Sequence, residues 1–180
     1  MVNISLAEGV PVGTVEELVT QFRKARSSGK KVALVQRFGL LLPDRRAFDF
    51  LLGILEGSRH EDWGAGAEAI KQLWECGLTA ADRERVIAAS LRIARSDPAS
   101  VPRTFAISEL AHFLDDDTVR AFFHQLLLDP AAPESDRQAA ISSLPTRAQT
   151  PEMVALCKHL LGDPVLAASA RLRLKEWGAE

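Results

Sequence analysis

Three observations predict an all-α fold. Tyrosine is absent, Val, Ile and Thr do not alternate with polar residues, and no Asn-Gly or Asp-Gly hairpin turn occurs, so strands have almost no signal. Apolar residues recur instead at helical spacing. Capping residues followed by Glu or Pro punctuate the chain at short intervals. With 180 residues, 47% of them hydrophobic and 26% charged, the chain is long enough to bury about 70% of its unfolded surface, which excludes disorder as a description of the whole.

The elements follow in order. Residues 1–13 read as an extended N-terminal segment, and 14–178 as one domain. Thr14 with Glu17 is a capping box, and the run to Ser28 places Val15, Leu18, Val19 and Phe22 on one face before Gly29 ends it. A second helix spans Lys30 to Leu42 and stops at Pro43. Asp44 caps a third, with Phe48, Leu51, Leu52 and Leu55 inward and Gly57 as its C-cap. Asp62 or a neighbour opens a fourth through Ile70, Leu73 and Trp74 to Gly77. Thr79 with Asp82 opens a fifth, through Val86, Ile87, Leu91 and Ile93. In the second half, Asp-Pro recurs at Asp97-Pro98, Asp129-Pro130 and Asp163-Pro164, 32 and 34 residues apart. Asp accepts from the free N–H groups of a helix start and Pro fits the first position, so each pair marks a turn and often a new helix. Further helices run from Asp116 to Leu128 and from Thr150 to Leu161.

A second echo lies within the helices. Arg103, Ala106 and Leu110 match Arg137, Ala140 and Leu144; Ala167, Ala170 and Leu174 repeat the frame without Arg, as do Gly66, Ala69 and Leu73. The small residue steps by 37, 34 and 30, and Ala33 lies 36 before Ala69. Such a drifting period marks a solenoid, because a small residue is what close helix packing needs at the crossing while Leu fills the core one turn later.

These residues resemble the HEAT-repeat family, whose helix pairs often carry Asp in the turn and Arg, Ala and Leu in the second helix. The resemblance covers nearly the whole chain and is strongest from Asp97 to Trp177. It implies an α-solenoid of about five HEAT-like antiparallel helix pairs, with the second helices lining the concave side. The missing Arg at Gly66 and Ala167 interrupts an Asp–Arg ladder.

Function is less legible. Lys plus Arg number 22 against 24 acidic residues, a net charge of -2, which removes the global basic excess of a dedicated nucleic-acid binder. One local exception is the basic cluster of Arg23, Lys24, Arg26, Lys30, Lys31, Arg37, Arg45 and Arg46, opposed within the segment only by Asp44. Solvated helix flanks explain it more simply than a binding patch for an acidic partner or nucleic acid. Asp115, Asp116 and Asp117 read as cap and first-turn charge. The histidines His60, His112, His124 and His159 make no ligand spacing on one helix, so no metal and no cofactor is expected. HEAT-like deoxyhypusine hydroxylases use several His-Glu pairs to hold two irons; this chain has one, His60-Glu61. HEAT-like alkylpurine DNA glycosylases place aromatics and a carboxylate on a basic concave surface; of Trp63, Trp74 and Trp177 here, Trp74 and Trp177 read as core cover, and the charge balance disfavours DNA. Gly64-Ala65-Gly66 lacks the strand and Lys of a phosphate loop, and neither Cys76 nor Cys157 has a base at a spacing that guarantees contact.

A protein-binding module without catalysis is therefore the expectation, with a HEAT-like nucleic-acid binder or glycosylase-like enzyme as the alternative. The candidate partner surface is the row three residues beyond each small position, Gln72, Glu109, Ser143 and Arg173, continued by Glu75, His112 and Glu176 and extended back to Gln36. Two unpaired thiols suit a reducing compartment, and no apolar run approaches the ~18 residues of a membrane span, so a cytoplasmic protein with no membrane partner is expected.

Overall fold

The computed structural model describes residues 13–42, 44–57, 63–95, 101–145 and 148–180. Of these, 77% are helical and none lies in a strand. The ten α-helices are α1 (Val15–Lys24), α2 (Ser28–Gly39), α3 (Arg45–Gly57), α4 (Trp63–Trp74), α5 (Ala80–Ala94), α6 (Val101–Leu110), α7 (Asp117–Leu128), α8 (Glu134–Ser143), α9 (Pro151–His159) and α10 (Ala167–Glu176). Short 3-10 turns follow α6 and α9. Among the described residues, no helix is long and apolar enough to cross a membrane.

Local chemistry accounts for most boundaries. The Thr14 capping box forms, with the Thr14 N–H donating to Glu17 Oε2 at 2.9 Å and the Glu17 N–H to Thr14 Oγ1 at 3.2 Å. Thr79 accepts from the Asp82 N–H, Asp116 from the Thr118 and Val119 N–H groups, and Thr150 from the Met153 N–H with Pro151 behind it. Asp44 accepts from the Arg46 N–H at 2.9 Å. Gly178, at φ +63, ends α10 with a six-to-one bond from the Ala179 N–H to the Leu174 carbonyl.

Three expectations at the turns need correction. Helix one stops at Lys24 and not at Ser28, because Ser27 captures the Lys30 N–H and starts α2; Gly29 lies inside that first turn. Asp129-Pro130 makes a turn in which Asp129 accepts from the Ala131 N–H, and α8 begins only after Pro133. Asp163 likewise accepts from the Val165 and Leu166 N–H groups, ahead of α10 at Ala167. Gly57 closes α3, while Asp62, Asp97-Pro98 and residues 1–12 lie outside the described residues.

Each odd-numbered helix packs on the even-numbered helix that follows it, and the even-numbered helices pack on one another in succession, from α2 through α4, α6 and α8 to α10. Ala69, Ala106, Ala140 and Ala170 are completely buried along this line, with Leu73, Leu110, Leu144 and Leu174 beside them in the core. Ala33 breaks the pattern: it is exposed, and α2 instead buries Leu34 and Phe38, one residue later. The Gln72 side chain of α4 reaches over Gly39 of α2, where a Cβ would lie 1.8 Å from its side-chain oxygen.

Charged hydrogen bonds tie each pair to the next. Arg45 forks onto Asp82 at 2.7 and 3.0 Å, Arg83 onto Asp115 at 3.0 and 2.7 Å, and Arg85 onto Glu56 at 2.8 and 2.9 Å. The two Arg positions of the repeat frame make successive rungs: Arg103 Nε lies 2.8 Å from the wholly buried Asp136, and Arg137 pairs with Asp163 while donating to the Leu127 carbonyl at 2.9 Å.

Candidate functional site

Helices α4 and α6 occupy the middle of the even-numbered row, flanked by neighbours on several sides. No residue from Gly64 to Trp74, or from Arg103 to Leu110, is fully exposed. The polar row expected as a solvated face is therefore half-buried where it crosses them, and this corrects the sequence reading. Gln72 donates to Glu68 Oε1 at 2.9 Å, and Glu68 is itself buried. The Glu109 side chain keeps only 14% of its exposure, and its carboxyl is pushed above the ordinary range chiefly by burial. Glu68 and Glu75 push it the same way; Lys71 and the Trp74 indole N–H oppose them. His112 stacks on Trp74, with ring centroids 3.7 Å apart and 13° between planes, and its Nε2 lies 3.8 Å from Glu109 Oε2. Only Glu75, at the end of α4, stands in the open.

The far end of the row is structural. Ser143 donates to its own helix, at the Ala140 carbonyl, 3.1 Å away. Arg173 donates to the carbonyls of Leu144 and Ser142 at 3.1 and 2.9 Å, so it caps the end of α8, and it pairs with exposed Glu176 at 2.6 Å. Gln36 is exposed on α2. The row thus divides into a group on α4 and α6 around Glu109 and a separate group on α8 and α10.

Beside the first group, a groove of about 710 Å³ opens where α4 and α6 end and α5, α7 and α9 begin. Trp74, His112 and Leu78 line one part of it, and Met153 and Thr150 another. Arg83, 5.4 Å from the Phe113 ring centroid, and Arg120, which donates to the Leu114 and Asp115 carbonyls at 3.2 and 3.0 Å, supply its positive charge. Sequence reasoning missed the groove because its residues come from four α-helices, α4, α5, α7 and α9, and the turns between helices, and it assigned Trp74 to core cover.

No family model, no curated protein and no solved structure matches the chain.

The basic cluster is split by folding. Arg45 reaches Asp82 and Asp49, Arg46 reaches Glu16 and Asp44, Arg37 donates to Gln21 at 3.2 Å, and Lys31 lies 5.6 Å from the Phe22 ring centroid. Carboxylates from outside the segment oppose it as well as Asp44. Arg23, Lys24, Arg26 and Lys30 remain exposed at the α1–α2 turn, without an ion pair among the described residues. His60-Glu61 and the Trp63 side chain lie outside the described residues. Among those described, no three His, Cys, Asp or Glu side chains are grouped to hold a metal ion. Cys76 donates to the Leu73 carbonyl at 2.9 Å, and burial pushes the Cys157 thiol up to about 11, so neither thiol is activated as a nucleophile.

Proposed function

We propose that this chain is an α-solenoid of five HEAT-like helix pairs that holds another protein and does not catalyse a reaction. The single observation that carries the reading is the succession of even-numbered helices from α2 to α10, in which α4, α6, α8 and α10 each bury a small residue, with the open groove beside Trp74 and His112 where α4 and α6 end. Quasi-one-dimensional packing of this kind offers a long surface to a partner. The contact region shifts from the half-buried row to its accessible margin: the groove, exposed Glu75, and the stacked Trp74–His112 pair, which presents an aromatic anchor of the type that concentrates binding energy.

The test is site-specific photo-crosslinking in the native host from Glu75 and Thr150 beside the groove, with exposed Ala88 on α5 as the control position. The same protein adduct from both groove positions and none from Ala88 is expected. A nucleic-acid adduct, an adduct from Ala88 alone, or no protein adduct from the groove would reject the reading.

A further inference from the structure

A second, smaller groove of about 330 Å³ lies between α1 and α3, away from the Trp74 groove. Phe22 and Phe50 meet edge to face there, with centroids 5.5 Å apart, and Ile54 continues the apolar floor. Gly53 and Gly57, one turn apart on α3, complete the lining, and a Cβ built on either would meet nothing within 4 Å. Glycine weakens a helix interior, and no described residue of this chain occupies the space that Gly53 leaves. Open backbone in an apolar groove lets another helix approach closely.

The charges around this groove are unbalanced. Its neighbouring carboxylates are already engaged, Asp49 by Arg45 and Glu56 by Arg85. Arg23 lines the groove, and Lys24, Arg26 and Lys30 follow it in the adjoining turn, all exposed and without ion pairs among the described residues. An apolar floor beside unpaired cations is complementary to an apolar stripe flanked by carboxylates. A nucleic acid would use the cations but not the floor, because its affinity comes mainly from phosphate contacts. A bilayer surface would call for exposed apolar side chains at the cationic tip, whereas Phe22 is half-buried beneath Lys31.

We infer that the α1–α3 groove docks an acidic amphipathic helix of a partner protein, its apolar stripe over Phe22, Phe50 and Gly53 and its carboxylates against Arg23, Lys24 and Arg26. Gly53 is the specificity-determining residue, since a side chain there would fill the seat. The inference stands on different residues from the proposed function and survives its failure.

The experiment selects binders to the full chain from a displayed library of random peptides about 16 residues long, long enough for some four helical turns. Enrichment of peptides with carboxylates around an i, i+3, i+4, i+7 apolar pattern is expected. Gly53→Leu should reduce their affinity at least tenfold while leaving the melting temperature equal or higher, and R23E/K24E/R26E should abolish binding. Glu75→Lys, beside the other groove, should leave it unchanged. Enriched peptides without acidic bias, or binding indifferent to Gly53→Leu, would overturn the inference. So would preferential binding of a single-stranded oligonucleotide or of phosphatidylserine vesicles through the same cations.

Discussion

Asp136 shows how one residue is committed by its surroundings. Its side chain is completely buried, Arg103 lies against it at 2.8 Å, and the Thr104 hydroxyl donates to Oδ1 at 3.2 Å. Removing one partner of a buried pair leaves an uncompensated charge, which costs more than the pair contributes to stability. Asp136→Ala should therefore destabilise by about 3–5 kcal/mol in urea unfolding, and a loss below about 1 kcal/mol would mean that the rung is not structural. Glu109 carries the opposite sign. Its carboxyl is raised in the folded state, so between the unfolded and folded pKa values the native chain binds more protons, and stability falls as pH rises through that window. Glu109→Gln should raise the melting temperature at pH 7, with the advantage fading at pH values below the ordinary carboxylate range. An advantage independent of pH would point to packing instead. Asp163, held below the ordinary range by Arg137, contributes stability above the unfolded carboxylate pKa that is lost on acidification through its folded value.

At the scale of helices, the small residues decide how closely neighbours approach. Ala106 and Ala140 have no exposed surface, at crossings where α6 and α8 meet each other and their neighbours. Enlarging either to Phe should cost about 1–3 kcal/mol through overpacking, read as a fall in melting temperature. Exposed Ala33 is the control, and Ala33→Phe should change stability by no more than about 0.5 kcal/mol. Equal effects at all three positions would reject the assignment of Ala106 and Ala140 as crossing points. The helix caps were legible because they depend on residues two or three apart, as at Thr14, Thr79, Asp116 and Thr150. Asp-Pro was legible only as a turn: at Asp129 and Asp163 the carboxylate bonds within the turn itself, and the following helix starts residues later.

Across the molecule, enclosure is uneven. Helices α4 and α6 have no fully exposed described side chain, whereas α10, last in the described row, leaves Ala168, Arg171, Leu172, Lys175 and Glu176 exposed. Local opening follows burial, so amide hydrogen exchange should be slowest in α4 and α6 and fastest in α1 and α10. A map in which α10 is the most protected helix would contradict the packing order.

Fold class, helix caps and the line of small residues from Ala69 to Ala170 were determined by the sequence alone, since helical periodicity places a residue relative to its own helix axis. That periodicity carries no count of the helices that will surround each one. Only tertiary structure decided that Glu109 is half-buried, that Arg173 caps α8, and that Leu34 and Phe38 stand in the frame where Ala33 was expected. The same reason divides the basic cluster. Arg45 finds Asp82 37 residues away and Arg46 finds Glu16 at a distance of 30, partners brought near by folding, while Arg23, Lys24, Arg26 and Lys30 stay exposed at the α1–α2 turn without an ion pair among the described residues.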